Sequence, residues 1–79
     1  MPVVLVINGF RFFFYSNENN EPIHIHVAKA DADGKIWLEP IIKIAYLHGF
    51  SPKEENYILE IVEANIKLFK QKWNGYFGK

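Results

Sequence analysis

The chain predicts an α+β fold: an antiparallel meander of four or five strands, with one long C-terminal helix packed on one face. Three observations predict it. Composition changes once, near Ser51, from β-branched and aromatic residues to Glu, Lys, Leu and Ile. The dipeptides Asn8-Gly9 and Asp33-Gly34 punctuate the first part as turns. Ser51-Pro52-Lys53-Glu54 opens the second as a helix start, with Ser as N-cap, Pro at the first helical position and Glu three residues after the Ser. A chain of 79 residues cannot be divided into two independent cores, so residues 1–79 are expected to form a single domain.

Residues 3–7 and 10–15 read as strands joined by Asn8-Gly9, a type I′ hairpin signal because both turn positions need positive φ. The two-residue loop sets Ile7 opposite Phe10, Leu5 opposite Phe12 and Val3 opposite Phe14, all on a core face. Val4, Val6, Arg11, Phe13 and Tyr15 then lie on the other side. Residues 16–22 form a polar loop. Residues 23–29 alternate as a third strand, and 35–39 form the fourth after a turn at Asp33-Gly34. That parity joins Ile23, Ile25 and Val27 with Ile36 and Leu38 in the core. It sets His24, His26 and Ala28 with Lys35, Trp37 and Glu39 on the opposite side. Residues 41–47 fit neither period cleanly. A short extended edge strand ending before Gly49 is the preferred reading, a helical turn the alternative.

The helix is expected to run from the Ser51 cap to about Tyr76. Ile58, Val62, Ile66, Phe69 and Trp73 fall on one stripe, with Glu60, Glu63, Lys67, Lys70 and Asn74 opposite. Asn65 sits near the middle of the apolar stripe. It reads either as a buried amide bonded to backbone or as a polar group fixing register at a helix–helix contact.

Lysines and arginines number 9 and acids number 9, giving zero formal net charge. That balance excludes a strongly basic nucleic-acid wrap and an acidic tail. The chain has 0 cysteines, which excludes a disulfide framework and a cysteine-type zinc site. No signal peptide or membrane span is evident. There is no nucleophile elbow, phosphate-cradling glycine loop or two-carboxylate pattern, and no cofactor is expected.

One helix covers one side of a small sheet, so function falls to the other side. By parity it displays Arg11, Phe13, Tyr15, His24, His26, Lys35, Trp37 and Glu39. His24-Ile25-His26 is its most specific feature. Residues two apart on a strand point the same way, about 7 Å apart, so two imidazoles can converge on one ion or phosphate. Three readings stay open for the pair: solvated or hydrogen-bonded surface groups, general acid/base or phosphate-contact catalysis, and a metal site with Glu39 as third ligand. His48 is expected in the turn before the helix, outside the parity that groups the pair with Glu39. The rings of Phe13, Tyr15 and Trp37 with Arg11 and Lys35 suit a protein-contact patch, and also a platform for single-stranded RNA. Zero net charge favours protein contact.

The run from Gly9 to Glu18, then Glu21-Pro22 and His24-Ile25-His26-Val27, resembles the bacterial domain-of-unknown-function family 4160. The likeness continues through Trp37-Leu38-Glu39-Pro40, Gly49-Phe50-Ser51, Glu63, Asn65 and Trp73 to Tyr76-Phe77. Ile23 stands where many relatives carry a second proline. The resemblance implies a small cytoplasmic prokaryotic protein, often encoded beside a small protein of family 2442, in pairs regarded as toxin–antitoxin systems. No catalytic residues are established for the family. The leading expectation is therefore the toxin-like member of a two-protein module, binding its partner through the open sheet face and acting on RNA. In that version His24 or His26 is the general acid/base, Arg11 or Lys35 steadies a phosphate, and Tyr15 or Trp37 stacks a base. The alternatives are a non-enzymatic interaction module, as homodimer or adaptor, and a metal-binding domain using His24, His26 and Glu39.

Overall fold

The computed structural model describes residues 3–15 and 20–78. It contains β1 (Val3–Ile7), β2 (Phe10–Phe13), β3 (His24–Lys29), β4 (Ala32–Trp37), β5 (Lys43–His48), α1 (Pro52–Ala64) and α2 (Ile66–Phe77). The five strands form one antiparallel meander in chain order. The expected polar loop lies partly outside the described residues, which omit 16–19.

Asn8 and Gly9 close the first hairpin with φ of 50° and 83°, as a type I′ turn requires. Ile7 pairs with Phe10 and Leu5 with Phe12, as expected. The third pairing differs. A bulge between Val3 and Leu5 sets Val3 opposite Phe13, not Phe14. One extra residue in a strand reverses the parity of everything beyond it. Val3 is therefore exposed, while Val4 packs against the core.

The second hairpin turns at Ala30 and Asp31, not at Asp33-Gly34. Lys29 pairs with Ala32, Val27 with Gly34 and Ile25 with Ile36. The expected side assignments survive, because any two-residue turn pairs an odd-numbered residue with an even-numbered one, wherever along the chain it falls. Gly34 is needed elsewhere. A Cβ on it would lie 2.3 Å from the Leu47 side chain and 2.8 Å from the Tyr46 carbonyl oxygen. Its missing side chain thus lets β5 approach β4, and the turn falls to Ala30, which accepts a φ of 52°. The ambiguous segment is the extended reading: β5 pairs with β4 and ends before Gly49. It contains His48, which lies in a strand and not in a turn.

The single long helix is in fact two. Asn65 separates α1 from α2 with φ −118° and ψ 20°. Its side-chain amide donates to the Ile61 carbonyl at 2.8 Å, and its backbone N–H is shared between Ile61 and Val62. A side chain competing for a carbonyl inside the helical ladder bends the helix. The half-buried amide bonded to backbone is thus the reading that holds. At the other end of α1 the capping box forms: Glu54 N–H donates to Ser51 Oγ at 3.1 Å, and Ser51 N–H to the Glu54 carboxylate at 2.9 Å.

Phe10, Phe12, Phe14, Ile25, Val27, Ile36 and Leu38 of the sheet layer meet Ile58, Ile61, Val62, Phe69 and Trp73 of the helices in one core. Phe12 stacks on Phe69, and Phe14 packs against Trp73, Tyr76 and Phe77. Both helices cover one side of the sheet. No helix among the described residues is long and apolar enough to cross a membrane.

Candidate functional site

The pairing registers lay out the uncovered side in rows. Val6, Arg11, Ala28, Asp33 and His48 form one row. Phe13, His26, Lys35 and Tyr46 form the next. His24, Trp37 and Lys43 form the third. Arg11, Phe13, His24, His26, Lys35 and Trp37 therefore share the side that parity assigned to them. Tyr15 joins them at the end of β2, its ring 4.7 Å from His26 and 5.5 Å from Phe13.

The imidazoles do not protrude. His24 is 1% exposed and His26 6%. Phe13 stacks on His26 at 5.6 Å with planes 20° apart, and Tyr15 meets the same ring edge-on. His24 lies 5.2 Å from His26, 5.3 Å from Trp37 and 4.9 Å from Trp73 of α2. The contact with Trp73 follows from the topology. The β2–β3 ladder ends at Phe13 opposite His26, so β2 does not flank His24. Trp73 closes that flank from the helix layer. The pair is thus the floor of an aromatic layer, where solvated surface histidines were one expectation.

The His24 Nδ1–H donates to the Pro22 carbonyl at 2.9 Å. A carbonyl oxygen can only accept, so the proton sits on Nδ1 and the ring is held by the bend that leads into β3. Glu21 lies 3.8 Å from the same nitrogen and 2.8 Å from Lys35 Nζ. Lys35 in turn spans the Trp37 ring, its ammonium 4.2 Å from the centroid. Glu21, Lys35 and Trp37 thereby form a linked rim over the buried imidazoles.

The grouping of Glu39 with the histidines does not form. β4 ends at Trp37, and Glu39 pairs with Lys70 of α2 at 2.9 Å. Strand parity no longer governs a residue beyond the ladder. Among the described residues no three His, Asp or Glu side chains are grouped to hold a metal ion.

Sequence reasoning missed three participants. Tyr46 and Lys43 enter the uncovered side from β5, where a bulge between Lys35 and Ile36 on the β4 ladder hides the strand period. Trp73 reads as helix core and also encloses His24. Beside Trp37 a shallow groove of about 360 Å³ is lined by Pro22, Glu39, Pro40, Ile41 and Lys43. Buried rings under a rim of exposed Arg11 and Tyr15 and half-buried Lys35 and Trp37 can hold a partner by aromatic packing and directed cations.

No curated protein and no solved structure matches the chain. The profile of the family described as "Domain of unknown function (DUF4160)" matches residues 9–74, which include the histidine pair, its aromatic neighbours and nearly all of the helical region. The chain belongs to that family.

Proposed function

We propose that this protein is the toxin-like member of a two-protein module and that it binds a small protein partner, of the family 2442 type, through the uncovered sheet face. Arg11, Tyr15, Lys35 and Trp37 are the contact groups, and His24 and His26 support them from beneath. The observation that carries this reading is a rim of exposed Arg11 and Tyr15 with half-buried Lys35 and Trp37, seated on a buried, ring-stacked layer. Preformed anchors lose little conformational entropy on binding, and Trp, Tyr and Arg supply most of the energy at protein contacts. Zero net charge weighs against phosphate-driven binding. General acid–base work needs an imidazole within hydrogen-bond reach of its substrate, and enclosure of both rings weighs against it.

Action on RNA is a second reading, favoured by Arg11, Lys35 and Lys43 sharing that side with Trp37 and Tyr15. In it, His26 is the acid/base group beside Tyr15. One experiment addresses both readings. The partner is co-expressed with the unaltered chain and with Arg11→Glu and Tyr15→Ala, both at exposed positions. Copurification and RNA cleavage are measured together. Capture by the unaltered chain, cut at least tenfold by either change and with no RNA cleavage, supports the protein-contact reading. Capture unaffected by both changes contradicts it. RNA cleavage that His26→Gln abolishes, in a folded protein, transfers support to the second reading.

A further inference from the structure

The sheet has two edges, and they differ in kind. β5 carries Lys43 and His48 along its length. A lysine on an edge strand discourages pairing with another chain. The β1 edge reads Val-Val-Leu-Val-Ile and has neither charge nor proline. Its bulge lies at the Val3 end, which leaves residues 5–7 regular. Ile7 and Phe10 flank a two-residue loop and so exchange both backbone hydrogen bonds with each other. The N–H and C=O of Val6 therefore point away from β2, toward the open edge. The Val6 side chain is 60% exposed, and Leu5 and Ile7 are half-buried.

We infer that β1 is the seam of a symmetric dimer, pairing antiparallel with β1 of a second copy and joining two five-stranded sheets into one. A two-fold axis at Val6 uses the outward backbone groups. It sets Val6 beside Val6 of the second copy on the uncovered side, and Leu5 beside Ile7 of the second copy on the helix side. Side-chain parity is thus preserved across the seam. The occupant follows from charge. Residues 5–7, all uncharged, meet their own copy with no like-charge opposition, as a self-complementary contact requires. A seam along β5 would instead draw Lys43 and His48 into the contact. The seam is short, at or below the low end of stable interfaces, about 1,200 Å². Association is therefore concentration-dependent, in the micromolar range or weaker. This inference concerns an edge and does not rest on the partner-binding reading of the face.

The test is sedimentation equilibrium of the full chain from micromolar to millimolar concentration, with Val6→Lys and Ala45→Lys beside it. The seam predicts a mass rising toward twice 9.3 kDa for the unaltered chain and for Ala45→Lys. Val6→Lys places two ammonium groups on the axis and is expected to stay at the monomer mass, with an unchanged far-ultraviolet spectrum. A monomer throughout for the unaltered chain, or a Val6→Lys protein that dimerises as the unaltered chain does, overturns the inference. Should Val6→Lys fail to fold, amide exchange at Val6 in the unaltered chain decides. Protection that grows with concentration supports the seam, and protection independent of it contradicts the seam.

Discussion

Gly34 and Ala30 exchange the roles their residue types suggest. Glycine usually marks a turn, and Asp33-Gly34 carries that signal, yet the turn falls on Ala30 and Asp31. The reason is steric: any side chain at Gly34 meets Leu47 and the Tyr46 carbonyl. Two substitutions follow with opposite signs. Gly34→Ala is expected to destabilise by about 2 kcal/mol through overpacking, read by urea denaturation. Ala30→Gly relieves a left-handed backbone and is expected to be neutral or stabilising, by up to about 1 kcal/mol. Equal losses from both would place the turn where the dipeptide suggests. Close approach between strands leaves no mark in the sequence, because a glycine looks the same at a turn and under a neighbouring strand. The side assignments of His24, His26, Lys35 and Trp37 were legible all the same, since parity across a hairpin depends on the two-residue length of the loop and not on its position.

At the scale of elements, the strands were readable from alternation and the helix start from its cap. The break at Asn65 was not. A polar residue on an apolar stripe announces a hydrogen bond, but not whether its acceptor is a neighbouring element or the carbonyl one turn back. The cap itself carries a testable pH dependence. The backbone N–H of Ser51, and then Lys29 at 3.2 Å, hold the Glu54 carboxyl below its ordinary range. A lowered folded-state pKa contributes stability that is present above the unfolded value, about 4.3 for glutamate. That contribution is lost as pH falls through the lowered value. Thermal melts from neutral to acid pH are expected to show this loss in the unaltered chain and less of it in Glu54→Gln. Ser51→Ala is expected to cost about 1 kcal/mol at neutral pH. An acid-side profile identical in Glu54→Gln would remove the cap from the account.

For the whole molecule, two helices occupy one side of a five-stranded sheet and leave the other to its rings and cations. Which residues share that side was legible from period and turn length. How deeply they lie was not, because burial on an uncovered face depends on neighbouring strands and on Trp73 reaching around the end of the β2–β3 ladder. Depth changes the functional argument. Exposed imidazoles would invite chemistry, whereas enclosed ones brace the aromatic layer beneath Arg11, Tyr15, Lys35 and Trp37. It also changes how variants are read, since truncating His24 opens a cavity, and lost activity in such a protein then reports on folding as much as on chemistry.

Reaction of the folded protein with diethyl pyrocarbonate, followed by mass spectrometry of each histidine-containing peptide, tests this enclosure directly. The expected result is fast modification at His48, which is exposed on β5, and protection of His24 and His26 until the protein unfolds. Modification of all three at the rate of His48 would contradict it.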